Sequence, residues 1–413
     1  MRALRDDFPI LKGQINHQPL IYLDNAATMQ MPLPVQDRLR RFYLEENANV
    51  HRGIHTLSER ATESYEHARK TAAEFLHVED PDEIIFTSGT TDAINIVAEM
   101  ADQFLHPGDE ILVTEMEHHG NFIPWMKLSE RMNLHLKIVP VRENGQLNLE
   151  QFQQMVSEKT RFAAFTQLSN VTGIETPVAQ MITYIRAHSP ALVLVDGAQG
   201  IVHCPTDLSV LQPDFYCFSG HKLGGPTGTG VLYMKRKWME QFAPVRFGGG
   251  TVRAVYKDRI ELLQGPSVFE PGTPNYAGVI GLEAALQYWT EQEGHMSAEK
   301  VCMRILEQGL REIPEIHVLG ETEDRKGSLS FCVDVMHAFD FCRFLDQYGI
   351  AARSGHHCAM IYLQALGTEH AVRFSVAPYN TTEEMKRVIE VCGQIIQFVK
   401  EPKKTGRKRR SSL

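Results

Sequence analysis

Between Glu83 and Lys235, short apolar runs alternate with longer stretches of helical period. Strands are expected at 84–87, 111–114, 136–141, 162–166, 192–195, 215–218 and 231–234, with helices near 91–105, 122–132, 148–157 and 177–188. Strands separated by helices form βαβ crossovers, which build a mostly parallel sheet covered on both faces. The fold class is therefore α/β, with a mostly parallel seven-stranded sheet. Ligands of such sheets gather at the carboxyl ends of the strands, so the residues just after each run are the candidates for chemistry.

The flanks follow other patterns. Leu20-Ile-Tyr-Leu23 reads as a strand ahead of the small, polar Asp24-Asn-Ala-Ala-Thr28. Residues 34–76 read as helical with a break at 47–53, residues 240–275 as loop-rich, and a long helix is expected from about Tyr276. Beyond about 295 the order becomes helix, strand (328–333), helix (339–348), loop, strand (371–376), helix (382–399), which is a smaller α+β domain. The expected division is a segment 1–25 associated with the small domain, a large domain 26–290, the small domain 291–399, and a basic disordered tail 400–413.

Charge and cysteine usage exclude several classes. The net charge is −9, yet the last thirteen residues hold six basic side chains against one acidic, so the remainder is still more negative. That argues against a nucleic-acid-binding body. Seven scattered cysteines without a CxxC pair suit reduced thiols in a cytoplasmic protein. No run of about 18 apolar residues is present, so no membrane span is expected.

The run Phe215–Phe218 leads into Ser219-Gly-His-Lys222 and then Gly224-Gly-Pro226. A lysine at a strand end, kept partly dry, can act as an amine nucleophile; otherwise it is an ordinary surface lysine. Val193-Leu-Val-Asp196 ends a second strand in a carboxylate, which suits a protonated ring nitrogen but also a metal or a helix cap. Thr87-Ser-Gly-Thr-Thr opens a helix after a third strand, where free N–H groups with the Thr90 and Thr91 hydroxyls make a phosphate cradle or a plain cap. Amine, ring-nitrogen partner and phosphate cradle together suit pyridoxal 5'-phosphate. Glu115-Met-Glu-His118-His119 places a histidine where it can lie over such a ring. Arg353-Ser-Gly-His-His-Cys358 carries a cysteine among basic neighbours that favour the thiolate, although most lone cysteines are inert. Arg373 emerges from a core strand with a guanidinium suited to a carboxylate. His118, His119, His356, His357 and Cys358 also raise zinc, but adjacent histidines point apart and no HxxxH or CxxC spacing occurs. No metal site is expected.

Together with Tyr22-Leu-Asp-Asn-Ala-Ala-Thr28, Val50-His-Arg-Gly-Ile-His-Thr-Leu57, Asp196-Gly-Ala-Gln199 and Phe269-Glu-Pro-Gly-Thr-Pro-Asn275, these motifs resemble the group II, Suf-type cysteine desulfurases of the class V aminotransferase family. The resemblance runs to about Asn380. It implies the aspartate-aminotransferase-like (fold type I) fold and pyridoxal 5'-phosphate as cofactor. It implies Lys222 as the cofactor-binding lysine, Asp196 and Gln199 on the ring nitrogen and ring oxygen, and His118 over the ring. It implies Thr90, Thr91, Ser219 and His221 at the phosphate, joined by Thr273 from the other subunit of a homodimer. Asn170, Arg353 and Arg373 would bind L-cysteine, and Cys358 would take its sulfur as a persulfide while L-alanine leaves. The sulfur would pass to a SufE- or SufU-type acceptor for iron-sulfur cluster assembly; selenocysteine lyase or a related Cβ–S lyase is the alternative. One departure is visible: Ala359-Met-Ile-Tyr lacks the proline common after Ala-Met.

Overall fold

The computed structural model describes residues 4–51, 53–292 and 294–401. Seven strands form the large sheet: β1 (Ile84–Thr87), β2 (Glu110–Thr114), β3 (His135–Val139), β4 (Thr160–Thr166), β5 (Leu192–Asp196), β6 (Phe215–Ser219) and β7 (Gly230–Met234), in the order β1-β7-β6-β5-β4-β2-β3. From β6 to β3 all neighbours are parallel. Strand β7 runs antiparallel to both β6 and β1.

Alternation explains why the runs are apolar throughout. Along β4, Phe162 and Ala164 face one apolar cluster while Ala163 and Phe165 face the other. Along β6, Phe215 and Cys217 are separated from Tyr216 and Phe218 in the same way. Successive side chains of a strand point to opposite faces, and here both faces are covered. The helices around the sheet include α1 (Thr56–Phe75), α2 (Thr90–Ala101), α3 (Ile123–Met132), α4 (Val178–His188) and α5 (Tyr276–Glu291).

After α5 the chain forms α6 (His295–Arg311), β8 (Ile316–Val318), β9 (Ser328–Val333), α7 (Ala338–Gln347), β10 (Arg353–Gly355), β11 (Ala371–Ser375) and α8 (Thr382–Lys400). The four strands make an antiparallel sheet in the order β8-β9-β11-β10, with its own apolar cluster. A full capping box starts α8: Thr381 accepts from the Glu384 N–H, and the Glu384 carboxylate accepts from the Thr381 N–H. The early chain is woven into this part. Ile21–Tyr22 pairs in parallel with Ile350–Ala351, Asp24 bridges to Ser375, and Arg5 donates to Glu384 at 2.6 Å.

The expected elements stand, most within one or two residues at each end, and among the short elements added to them are the following four. Val252–Val255 and Ile260–Leu262 form a hairpin inside the stretch read as loop. Its side chains are largely exposed, so it lacks the apolar alternation that marks a half-buried strand. Strands β8 and β10 have only three residues each, and the six-residue helix Met360–Ala365 follows Cys358 directly. All four additions are too short or too polar to show a period. The expected basic tail falls, from residue 402, outside the described residues.

Candidate active site

One cavity of about 320 Å³ opens at the carboxyl ends of the parallel strands. Thr166 and Asp196 are the last residues of β4 and β5, Ser219 ends β6, and His118 follows β2. Lys222, His221, Thr90, Thr91, Gln199, Asn170, Arg353, Arg373 and Cys358 line the same space. Of the residues assigned from sequence to the cofactor, the substrate or the sulfur, Thr273 alone lies elsewhere. It lines a second cavity with Asn49, Val50, His51 and Gly250.

Lys222 Nζ donates to the carbonyls of Ala26 at 2.5 Å and Ala27 at 3.2 Å. Burial, helped by the nearby Arg373 cation, lowers its pKa to about 8. The amine can therefore give up its proton near neutrality, as a nucleophile or base requires. Asp196 is buried, accepts the Ala198 N–H at 2.9 Å, and has its pKa raised by burial to about 6. Gln199 donates to the Ala26 carbonyl at 3.0 Å. His118 accepts the Gly120 N–H on Nδ1 at 2.9 Å, and burial with nearby Lys222 lowers its pKa to about 4. It is thus a neutral imidazole carrying its proton on Nε2.

The start of α2 makes the anion end of the cavity. Gly89 precedes it at φ 149°, a conformation open to glycine, and a Cβ there would stand 3.1 Å from Ser219 Oγ. No side chain caps this helix, and Ser219 Oγ accepts the Thr90 N–H at 2.8 Å. Helix N–H groups, two threonines, a serine and His221 make a donor set that fits a phosphate. With a partly dry lysine and a buried carboxylate in the same cavity, the residues fit pyridoxal phosphate at every functional group.

At the opposite side Arg373 is buried, donating to the Asn170 carbonyl at 3.1 Å and to Asp24 Oδ1 at 3.1 Å, while its Nε has no partner among the described residues. Arg353 grips the same Asp24 with Nε at 3.0 Å and Nη2 at 2.9 Å. Cys358 is exposed, at φ 54°, directly after His357 at φ 50°. The loop is therefore held in a conformation that non-glycine residues seldom adopt. His357 does not add positive charge to the thiol: it is buried against the Ala371 carbonyl, and burial beside Arg373 lowers its pKa to about 3. The cations near Cys358 are arginines.

Two residues that act on the charged groups of this cavity from behind its lining were not singled out from sequence. Asp24 was read only as part of a small polar loop; its position directly after the run 20–23 was the available signal. Glu117 lies buried near Asp196, accepting from Thr114 and Asn121 at 2.6 Å each, and its pKa rises to about 8 through burial and, in smaller part, the Asp196 charge. Nothing in the pattern Glu115-Met-Glu117 tells which glutamate turns inward. The structure also gathers His119, His356 and Cys358, which come from two separate loops.

Comparison with known proteins agrees with this geometry. Residues 21–388 match the class V aminotransferase family. A cysteine desulfurase of Pectobacterium atrosepticum is 43% identical over 393 residues, 94% of this chain and 96% of that protein. The crystal structure of the cysteine desulfurase CsdA from Escherichia coli superposes with a TM-score of 0.88 at 36% identity, covering 95% of this chain and 98% of CsdA. A mutant of C-DES, with glycine covalently linked to its PLP cofactor, superposes with a TM-score of 0.82 at 25% identity over 95% of this chain and 99% of that one. In fold, in the residues of its cavity and in its relatives, the chain belongs to the cysteine desulfurases of the class V aminotransferase family.

Proposed function

We propose that this enzyme, of group II type, removes sulfur from L-cysteine, stores it as a persulfide on Cys358, releases L-alanine, and supplies the sulfur for iron-sulfur cluster assembly in the cytoplasm. The observation that carries the reading is an exposed cysteine lining the same cavity as a partly dry lysine, a buried aspartate and a buried arginine. Pyridoxal phosphate is the cofactor; Lys222 would hold it, and when bound it would supply an electron sink for charge developing at Cα.

The chain's own residues do the rest. Thr90, Thr91, Ser219 and His221 hold the phosphate. Asp196 would pair with the ring nitrogen, Gln199 with the ring oxygen, and His118 would cover the ring. Arg373 and Asn170 bind the substrate carboxylate, with Arg353 beside them. Lys222, whose amine burial leaves able to give up its proton near neutrality, takes the Cα proton. The Cys358 thiolate then attacks the substrate Sγ; the Cβ–Sγ bond breaks, its electron pair passes to carbon, and protonation there gives alanine.

The same reading treats residues 26–290 as the cofactor-binding unit and 291–399, joined by 1–25, as the unit that delivers Arg353, Cys358 and Arg373. Thr273 serves the neighbouring subunit of a homodimer. Exposed apolar side chains support that pairing: Tyr43, Leu44, Ile54 and Leu57 flank, in sequence, the residues Asn49, Val50 and His51 that line the cavity with Thr273.

The test uses two variants. Lys222→Ala loses the visible absorbance of the resting holoenzyme. Cys358→Ala keeps that absorbance and still binds cysteine, but releases alanine far below the normal rate. Near-normal alanine release by Cys358→Ala would overturn sulfur transfer to this thiol.

A further inference from the structure

His119, His356 and Cys358 each offer one donor atom, and these three atoms lie within 4.8 Å of one another. They sit at the mouth of the cavity, on the two loops that follow β2 and β10. The loops are tied together, since the His119 N–H donates to the Cys358 carbonyl at 2.6 Å and the Met360 N–H donates to His119 Nε2 at 3.3 Å. The two imidazole rings stand 5.7 Å apart, inclined by 31°. Consecutive left-handed residues, His357 and Cys358, fold the loop back so that His356 Nδ1 accepts the Cys358 N–H at 3.1 Å.

We propose that His119, His356 and Cys358 bind a single zinc ion, or a cation of like softness, at the mouth of the substrate cavity. One thiolate with two imidazoles is a donor set for zinc and its neighbours, and the absence of a carboxylate disfavours magnesium and calcium. Donors at about 2.0–2.3 Å around a tetrahedral zinc stand roughly 3.3–3.7 Å apart. The three side chains therefore close by about an ångström, which their partial exposure allows. Each imidazole lone pair now meets a backbone N–H at 3.1 or 3.3 Å, and the metal takes the place of these long hydrogen bonds. Binding releases the thiol proton to solvent and changes no oxidation state. The fourth position is left for water.

The geometry also sets the character of the site. Metal-bound histidines are usually tightened by a carboxylate or carbonyl on their other nitrogen; among the described residues no carboxylate is hydrogen-bonded to either ring. The ion is thus exchangeable rather than structural. A thiolate committed to zinc cannot attack sulfur, so the ion acts as a reversible brake on the reaction proposed above. The brake rests on that reading, whereas the binding does not.

The experiment takes chelator-treated, reduced holoenzyme and titrates it with cobalt(II) as an optical probe, then with zinc against a colorimetric chelator. One equivalent per chain is expected, with the visible bands of tetrahedral cobalt–thiolate ligation at longer wavelength than the cofactor absorbs. Zinc should suppress alanine release in proportion to occupancy, and chelator should restore it. Cys358→Ser should abolish the thiolate bands. His119→Ala and His356→Ala should each weaken zinc binding about tenfold or more, and Cys332→Ser should leave it unchanged. Absence of binding at micromolar zinc overturns the proposal, as does binding that survives Cys358→Ser or the paired histidine substitutions. The metal is read optically: a protein that binds cobalt through Cys358 yet, once stripped of metal by chelator, releases no alanine upholds this site and refutes the desulfurase reading.

Discussion

Asp24 accepts hydrogen bonds from Arg353 and Arg373, which lie on neighbouring strands of the small sheet. A buried guanidinium needs such a partner, because burial alone pushes the Arg373 pKa down. Removing one partner of a buried, hydrogen-bonded charge pair costs about 2–5 kcal/mol. Arg373→Ala should therefore raise the cysteine KM by tens to thousands of fold, and an unchanged KM would place the substrate carboxylate elsewhere. Glu117 gives a pH prediction. Its pKa in the folded protein, about 8, exceeds the usual 4.5, so the folded state holds the proton more tightly. The stability this contributes is complete below pH 4.5 and is lost as pH rises through 8. Glu117→Gln should flatten the decline in denaturant stability between pH 5 and 8, by an amount on the order of a few kcal/mol; Asp196, raised in the same direction, leaves a residual slope at the acid end. An unchanged slope would mean that Glu117 ionises freely. Lys222, Asp196 and Cys358 were legible in the sequence because each sits where a strand or a glycine turn delivers it. Asp24 was not, because its arginine partners lie more than 300 residues away, and Glu117 was not, because its burial is set by the tertiary fold rather than by local pattern.

Among the elements, the loop that carries Thr273 shows what a motif can conceal. Glu270 opens it and is buried among Arg69 on α1 (2.8 and 2.9 Å), the Phe86 N–H of β1 (2.7 Å) and the Tyr65 hydroxyl (3.0 Å). Both charged side chains are nearly inaccessible, at 2% and 6% exposure. Breaking such a pair from one side costs about 3–5 kcal/mol. Glu270→Ala should lower unfolding stability by that order and loosen the loop at Thr273; a loss under about 1 kcal/mol, which is the surface-pair range, would remove this anchor from the account. Three residues past Phe86, Gly89→Ala places a Cβ at φ 149° and 3.1 Å from Ser219 Oγ. It should speed loss of cofactor on dialysis while circular dichroism stays unchanged. The antiparallel course of β7 was open to reading: the link from Ser219 to Gly230 is too short for the crossover a parallel neighbour needs. The hairpin 252–262 was not, since its exposed residues carry no period.

For the whole molecule, acidity and a tethered thiol point to a partner. A Cys358 loop held at both ends releases sulfur slowly to small reductants, so basal turnover should be low and a SufE- or SufU-type acceptor should raise it. The acidic body favours an acceptor with a basic face, and that stimulation should weaken as ionic strength rises. Full activity with reductant alone would contradict this. Removing residues 402–413 should leave basal turnover nearly intact. The α/β plan was legible at this scale because helical crossovers leave a strong period; the weave of residues 5–24 into the small sheet was not, because two-residue pairings leave none.

That weave has a kinetic meaning. Asp24 meets Arg353 across 329 positions of sequence, and Ser375 reaches the Leu23 carbonyl across 352. Contacts so distant form late, since loop closure must precede any reward. At about 5–20 residues per second on the ribosome, Asp24 waits roughly 15–70 s for Arg353 to be made. Strands β1 to β7, with Lys222 and Asp196, are complete well before then. The protein should therefore acquire its cofactor pocket first and its substrate clamp last. On refolding from denaturant, visible cofactor absorbance should return ahead of cysteine turnover, and the interval between them times the docking of residues 5–24.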